Sequence, residues 1–446
     1  MRWDEAQNRI LALLVATSLL FTIKIWLGVP SWAASFEPFS PRIDKTQDAG
    51  LLALLSPRLI LVHSGAETHH GLLRGTEDYA HLWQQGKLLS RVCQAVSGPR
   101  RDATAAEVQQ ARSEANSVEI VFQDTYPLAG VWRLAGVEQN DADILIDRII
   151  IAIQKTPVVY VRILPRLQYA AFSVRADADL GDLAKAPLSP AAPRYVELPE
   201  EIGDVRIASG TFVPRDARPM SLMSVQRDPT GATALLSTFF VDVSMLRKVE
   251  ERDGALIYSD GRRGIRIYPS GAVDYGQPQS GAAEPDKMAA IERAALFSID
   301  HGGLPGTAYV DRVFPQKSGT SEGTRVRFNF TYAGIPVISS RGVIEVLVGS
   351  KGAETFLRNF RLPTDAAGDP GSVLTYREAL LALSDKRAKV FGNAAPGPLL
   401  AMGLAYLSPG PEEGIEPLRP VWELDFLEWS VTVDAYTGAV SRRAGP

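Results

Sequence analysis

Residues 10–29 read ILALLVATSLLFTIKIWLGV and contain one charged side chain, Lys24. A helix of this length rises about 30 Å, which matches the thickness of the hydrocarbon core of a bilayer. Gly28 and Pro30 end the apolar run, and the rest of the 446-residue chain has the composition of an ordinary folded protein. The sequence therefore predicts a single N-terminal transmembrane helix followed by a large folded region.

The flanks of this segment fit a retained membrane anchor. Lys24 can extend its ammonium group to the headgroups, and Trp26 and Trp32 lie where interfacial aromatic residues are expected. The alternative is a cleaved signal peptide, since Ser31-Trp32-Ala33 has the small residues of a cleavage site. We expect the short tail 1–9 in the cytoplasm and the folded region outside the cell membrane, although the flanking positive charges barely discriminate.

One face of the predicted helix has the spacing of a helix–helix contact. Ala12 and Ala16 are four residues apart, and Leu20 and Ile23 continue the same face. Small residues at this spacing permit close approach of a second helix. The alternative is that alanine is simply tolerated in lipid, and the sequence leaves both interpretations open.

Composition excludes some classes of function. The formal net charge is −4, so no basic surface for nucleic acid is expected. Cys93 is the only cysteine, which rules out an intramolecular disulfide.

Shifts in composition divide the region after the helix into blocks. Segments rich in Pro, Ala, Gly and Asp separate stretches in which strand-like alternation dominates. We predict the following parts: a stalk at 30–58, an N-terminal α+β domain at 59–180, a central strand-rich domain at 194–276 and a C-terminal domain at 287–446.

The C-terminal block repeats one pattern. Helix candidates at 287–299 and 376–389 are each followed by several short strands, which predicts two helix-plus-meander units. Helical spacing also predicts helices at 76–92, 102–113 and 141–147 in the N-terminal block. The predicted fold class is α+β, with antiparallel sheets and packed helices.

Two fragments imitate the motifs of a serine esterase. Gly319, Ser321 and Gly323 form a G-x-S-x-G pattern, and His301 begins a His-Gly-Gly sequence. The esterase order requires a histidine after the serine, and no histidine follows His301. We therefore expect no catalytic residue and no enzymatic activity.

Other residues that could bind ligands have ordinary structural explanations. His63, His69, His70 and His81 match no metal-ligand spacing, so we expect surface loops, no metal and no cofactor. The aromatic residues of the segment WELDFLEW (422–429) could form a carbohydrate or peptide platform, but sheet core explains them better.

With the anchor and the blocks in place, the chain resembles the YycH (WalH) family of Gram-positive bacteria. The resemblance lies in three places. They are LLVATSLLFTIKIWLGVPSW near the N-terminus, FFVDVSMLRKVEERDGALIYSDGRRGIRIYPSGAVDYGQP in the centre, and the C-terminal pieces TYAGIPVISSRGVIEVLV and LRPVWELDFLEWSVTVDAYTGAV. The C-terminal pieces also resemble repeats of the YycI family and, more distantly, PepSY modules.

The resemblance implies a regulator rather than an enzyme. It implies a single-pass membrane protein that acts on the WalK/YycG histidine kinase of a two-component system controlling cell-wall metabolism. The implied partners are that kinase, a YycI-like single-pass protein and the lipid bilayer, with no small-molecule substrate evident. The alternative is a PepSY-type module that binds a peptide or inhibits a protease outside the membrane.

Overall fold

The structure is a computed structural model. It describes residues 48–85, 87–137, 144–153, 156–181, 183, 188–189, 192–277, 286–318 and 321–443. The predicted membrane helix at 10–29 lies outside the described residues. Within them, every helix is too short or too polar to cross a membrane.

Helices are few and short in the described part of the chain. They are α1 (Asp48–Leu54), α2 (Glu77–Ala80), which continues as a π-helical turn (His81–Gln85), α3 (Leu88–Ala95), α4 (Ala105–Ser113), α5 (Leu128–Leu134), α6 (Ala232–Phe239), α7 (Lys287–Asp300) and α8 (Tyr376–Phe391). A 3₁₀ turn spans Val243–Met245.

Capping residues in the sequence set the starts of the longer helices. Thr375 and Glu378 form a reciprocal capping box at the start of α8, and Thr104 and Glu107 do the same for α4. The carboxylate of Asp286 accepts hydrogen bonds from the first turn of α7. The predicted helices at 287–299 and 376–389 are therefore found where the sequence indicates.

The first sheet belongs mostly to the N-terminal block. Its described strands lie in the spatial order β11-β8-β2-β1-β4-β5-β6-β7-β3, and all neighbouring strands are antiparallel. The strands are β1 (Leu59–Ser64), β2 (His69–Leu73), β3 (Val96–Ala103), β4 (Ala115–Pro127), β5 (Leu145–Ala152), β6 (Val158–Leu164), β7 (Gln168–Val174), β8 (Arg194–Glu197) and β11 (Phe212–Pro214).

Two two-stranded ladders are separate from this sheet. β9 (Glu201–Ile202) pairs with β10 (Val205–Arg206). β12 (Met220–Arg227) pairs with β22 (Arg361–Gly371).

The second sheet joins the central and C-terminal blocks. Its described strands run β13-β14-β15-β16-β21-β20-β18-β19-β23-β24-β25-β26, with β17 beside β18. The strands are β13 (Arg247–Glu250), β14 (Leu256–Ser259), β15 (Gly264–Ile267), β16 (Val273–Gly276), β17 (Ala308–Ser318), β18 (Ser321–Tyr332), β19 (Ile335–Ser339), β20 (Ile344–Gly349), β21 (Gly352–Arg358), β23 (Leu399–Ser408), β24 (Arg419–Phe426), β25 (Ser430–Asp434) and β26 (Val440–Arg442).

The two C-terminal meanders meet through one parallel pair. β19 pairs with β23 in parallel, and the other neighbours in this sheet are antiparallel. The α+β class with mostly antiparallel sheets, predicted from the sequence, is confirmed.

Strand pairing crosses the boundaries that we expected between blocks. β8 and β11 come from the central block but extend the N-terminal sheet, whereas β16 pairs with β21 of the C-terminal block. One continuous apolar core contains Leu51, Trp132 and Val433, which come from both ends of the described chain.

Two local predictions differ from the structure, and one strand is buried on its polar face as well. The predicted stalk at 30–58 ends in a folded segment, because α1 buries Leu51 and Leu54. The predicted helix at 141–147 is wrong at 145–147, where β5 has begun. Arg327 and Asn329, on the polar face of β18, are as deeply buried as Val326 and Phe328, because both faces of that strand are covered.

Candidate functional site

The segment that follows the predicted anchor enters the fold between the two halves of the chain. Helix α1 packs against α5 of the N-terminal block and against β17 of the C-terminal block. Leu51, Leu54 and Leu55 are buried there. Any displacement of the chain before Asp48 would therefore act on an element that contacts both the N-terminal and the C-terminal block.

Arg58 lies directly after α1 and reaches into the second sheet. Its Nη1 atom is 2.6 Å from Oδ2 of Asp425, and its Nη2 atom is 3.7 Å from Oε2 of Glu423. Burial alone would lower the pKa of Arg58, but the two carboxylates outweigh it and the pKa is raised. The guanidinium is therefore held charged in a largely buried position.

Glu423 and Asp425 belong to a larger buried cluster. They point to the same face of β24 because they are two residues apart. Asp425 also binds Nη2 of Arg312 at 2.9 Å, and the hydroxyl of Ser430 donates to it at 2.9 Å. Arg443 pairs with Glu423 and lies 2.7 Å from Oδ2 of Asp311. Three acidic side chains are thus interleaved with three arginines.

The two neighbouring carboxylates of β24 have opposite pKa shifts. Burial raises the pKa of Glu423 to about 7, with the charge of Asp425 adding to the effect. For Asp425, burial acts in the same upward direction, but Arg58 and Arg312 overcome it and lower the pKa. The cluster therefore contains one carboxyl group that titrates near neutral pH.

Further polar contacts tie β4 of the first sheet to the same region. The side-chain amide of Gln123 donates to Asp311 at 3.4 Å. Asp124 accepts from Nζ of Lys287 and from the backbone amide of Val313, both at 2.8 Å. Arg58 directly precedes β1 of the first sheet, whereas its charged neighbours lie on or beside strands of the second. We call this set the inter-sheet cluster: Arg58, Asp311, Arg312, Glu423, Asp425 and Arg443.

A cleft of about 850 Å³ opens beside α1. Its walls come from α1, from the segment α2–α3 and from residues 304–308, and most of the lining is apolar. The lining includes Leu52, Leu54, Tyr79, Trp83, Leu89, Leu134 and Leu304. The cleft therefore lies at the point where the chain enters the folded region.

Arg74 connects this cleft to the inter-sheet cluster. Its guanidinium carbon lies 3.7 Å from the centre of the ring of Tyr309, a stacked cation–π contact. Nε donates to the hydroxyl of Ser56 at 3.0 Å and Nη2 donates to the Ser56 carbonyl at 2.7 Å. Tyr309 is two residues before Asp311 on β17, so the cleft floor and the inter-sheet cluster share a strand.

The histidines of the first block are not all in surface loops, contrary to our expectation. His63 and His69 are buried on paired strands, with their Nδ1 atoms 2.8 Å apart. The ring of Phe212 packs against both. Strand pairing placed these residues opposite each other, a relation that sequence spacing did not indicate. Within the described residues, no group of three His, Cys, Asp or Glu side chains could hold a metal ion.

Glu119 is the anion of this second buried cluster. It accepts from Nε of Arg112 at 2.8 Å and from Nη1 of Arg148 at 2.5 Å, and it lies 3.5 Å from Nε2 of His63. Burial opposes the charge of Glu119, but the two arginines hold its pKa well below the usual range. The carboxylate therefore stays ionised and structural.

The residues singled out from the sequence fall in several places. Those predicted for the membrane contact and its ends lie outside the described residues: Ala12, Ala16, Leu20, Ile23, Lys24, Trp26 and Trp32. Ser321 begins β18 opposite Ser318 in a hairpin, whereas an esterase serine sits on a strand-to-helix turn. Of the three aromatic residues in WELDFLEW, Trp422 and Phe426 are buried as the sheet-core prediction requires, whereas Trp429 is only partly buried.

Sequence reasoning missed the inter-sheet cluster. A signal was present, since Glu423 and Asp425 interrupt the apolar strand VWELDF, and Asp311 interrupts AYVDRVF. Charged side chains inside apolar strands are rare unless they are paired. The sequence could not identify the partners, because Arg58 and Arg443 are contributed by distant segments.

Comparison with known proteins gives one informative likeness. No protein-family profile and no curated protein sequence matches the chain significantly. The crystal structure of YycH from Bacillus subtilis superimposes with a TM-score of 0.57, covering 88% of this chain and 97% of that one at 14% identity. The fold is YycH-like. The resemblance noted in the sequence is thus confirmed at the level of the fold.

Two other solved structures match with lower scores. An uncharacterized protein from Eubacterium rectale has a TM-score of 0.31 at 12% identity, covering 56% of this chain and 89% of that one. The C-terminal domain of YpeB from Bacillus megaterium has a TM-score of 0.29 at 11% identity, covering 49% of this chain and 100% of that one.

Proposed function

We propose that this protein is a membrane-anchored, non-enzymatic regulator of a sensor histidine kinase that controls cell-wall metabolism. The observation that carries the proposal is the YycH-like fold over 88% of the chain. The apolar run at 10–29, which supplies a means of acting inside the membrane, supports it. In this proposal the N-terminus is cytoplasmic and the folded region lies outside the cell membrane.

The proposed mechanism uses the transmembrane helix together with contacts made by the folded region. The helix packs beside the helices of the kinase and of a YycI-like single-pass partner, and a shift in its position favours one kinase state. Such a regulator works only if it binds the two states unequally, by about 5.5 kcal/mol for a nearly complete switch.

The segment from α1 to Arg58, where the described chain begins, is suited to this mechanism. Helix α1 contacts α5 and β17, and Arg58, four residues after its end, pairs with Asp425. Because the pair is largely buried, it forms a stiff connection rather than a mobile surface contact. A change of geometry in the folded region would therefore reach the predicted stalk and the helix before it.

Co-purification tests the proposal. The full-length protein is solubilised from its own membranes in mild detergent, beside a truncated chain that begins at Ser35. We expect a histidine kinase and a second single-pass protein with the full-length form only. Recovery with both forms would move the contact to the folded region. Recovery with neither form would contradict the proposal, and extracytoplasmic peptide binding of the PepSY type would then be the function to test.

A further inference from the structure

The cleft beside α1 has the dimensions of a small-molecule site. Its volume of about 850 Å³ lies within the range of typical ligand pockets. Trp83, Leu89 and Leu304 give it an apolar lining, and Ala53 stands exposed on the α1 wall. An apolar ligand could bury most of its surface there.

One polar group in the lining is left unsatisfied. Arg74 is only 6% exposed, and its Nη1 atom has no hydrogen-bond partner among the described residues. Nε and Nη2 are both used by Ser56 and Nη1 has no partner, so the side chain is held in place with one buried donor unsatisfied. A buried donor without a partner is costly, and a charged donor prefers an anionic acceptor.

The charges around the opening do not alter this preference. Glu77 and Lys87 both line the cleft and are exposed, so their opposite charges roughly cancel. The arrangement therefore selects a ligand with one anionic head and an apolar tail. The position of the cleft is consistent with a ligand from the membrane, because α1 begins 19 residues after Val29, the end of the predicted membrane span. A bilayer would supply such molecules directly.

We propose that this cleft binds a long-chain carboxylate, such as a free fatty acid. Nη1 of Arg74 donates to the carboxylate, and the alkyl chain lies along Trp83, Leu89 and Leu304. The proposal depends on the cleft and not on the identity of a kinase partner, so the two can fail separately.

Photo-crosslinking tests the site in the full-length protein. The protein is placed in phosphatidylcholine nanodiscs, mixed with a palmitate analogue that carries a diazirine in its chain, and irradiated. We expect labelled peptides from the three walls of the cleft, at 48–56, 77–90 and 304–308. Excess palmitate should abolish the labelling, and methyl palmitate, which lacks the anionic head, should not. Equal competition by both molecules would overturn the role of Arg74.

Matched variants test whether the photo-crosslinked label lies in the cleft. Ala53→Trp fills the cleft from an exposed position, and Ala388→Trp places the same side chain on the exposed surface of α8. We expect labelling to fall about tenfold in A53W and in Arg74→Gln, and to remain unchanged in A388W. Labelling that persists in A53W would overturn the proposal. So would the absence of label from the cleft, the result expected if residues 31–47 of the same chain occupied it.

Discussion

Arg58 and Asp425 are 367 positions apart in the chain, yet their side chains meet at 2.6 Å. The arginine lies shortly after α1, the first described helix, and the aspartate lies on β24 of the second sheet. Both side chains are largely buried, with exposed fractions of 11% and 7%. The pair therefore joins the segment that follows α1 to the second sheet.

Removing this arginine should destabilise the protein strongly. In Arg58→Met, the side-chain volume is kept but Asp425 loses one of its two cationic partners. We expect the free energy of unfolding to fall by about 3 kcal/mol, since one partner of a buried ion pair is left behind. Equilibrium urea unfolding of the chain from Ser35 onward, followed by tryptophan fluorescence, measures the change.

The control for this variant is an exposed pair. Arg419 and Glu416 are 3.3 Å apart with both side chains more than half exposed. Arg419→Met should cost less than about 1 kcal/mol. Equal losses in the two arginine variants would show that Arg58 contributes no more than a surface contact.

The raised pKa of Glu423 predicts that the stability of the fold decreases as the pH rises, which is the opposite of ordinary acid unfolding. Its pKa is raised from 4.5 to about 7 by burial and by Asp425, so the folded state binds the proton more tightly than the unfolded state. The resulting stability is present below pH 4.5 and is lost as the pH rises to about 7. Relative to Glu423→Gln, we expect the wild type to lose about 3 kcal/mol across this interval. A constant difference between the two unfolding curves from pH 4.5 to 7 would contradict the assignment.

The sequence predicts where the longer helices lie, but it does not predict which strands pair with each other. The helix candidates at 287–299 and 376–389 match α7 and α8 within two residues. The position of β8 beside β2, by contrast, depends on a cross-strand contact. Gly71 leaves room there for the ring of Tyr195, which comes from the central block. Such shape matching between distant segments has no periodic signal in the sequence.

The same limit applies to the candidate site. Interrupted apolar strands indicated that Asp311, Glu423 and Asp425 were unusual, but their cations lie at positions 58, 312 and 443. Arg74 has no motif at all, because its significance depends on the cleft that α1 completes. The anchor could be predicted because a largely apolar run of twenty residues with a single charge is a local pattern.

Gly71 gives a packing prediction with a matched control. A Cβ atom at this position would lie 2.1 Å from the ring of Tyr195, which is buried and has little freedom to move. Gly71→Ala should therefore reduce the free energy of unfolding by about 3 kcal/mol through overpacking. Gly276, on β16, has open space at the same atom, so Gly276→Ala should be nearly neutral. Thermal unfolding that ranks the two variants in the reverse order would contradict the β2–β8 contact.

The buried histidine pair predicts a loss of stability in mild acid. Burial lowers the pKa of His69, the neighbouring His63 lowers it further, and Glu197 and Glu119 only partly oppose the effect. A histidine with a lowered pKa favours folding when it is neutral. Its contribution is therefore present above about pH 6.5 and is lost as the pH falls. A protonated His69 has no acceptor on its ring and could only donate at the 2.8 Å contact with Nδ1 of His63.

His69→Gln should remove this component of the pH dependence. His81→Gln is the control, since the His81 imidazole is exposed and its hydrogen bond to Gln85 is also exposed. Unfolding free energies of the three proteins between pH 7.5 and 5 make the comparison. If the curve of H69Q keeps the wild-type slope, the pair does not sense pH.

The final prediction concerns the predicted membrane face. Replacing Ala12 and Ala16 by leucine keeps the segment apolar, so insertion should be unaffected. The larger side chains would separate helices that approach closely at this small-residue spacing, and association with the kinase or its single-pass partner should weaken. Ser18→Leu adds the same bulk on the opposite side of a helix with 3.6 residues per turn, and it should leave co-purification unchanged. Equal recovery of partners by A12L/A16L, S18L and the wild type would remove this face from the proposed mechanism and assign the contact to the folded region.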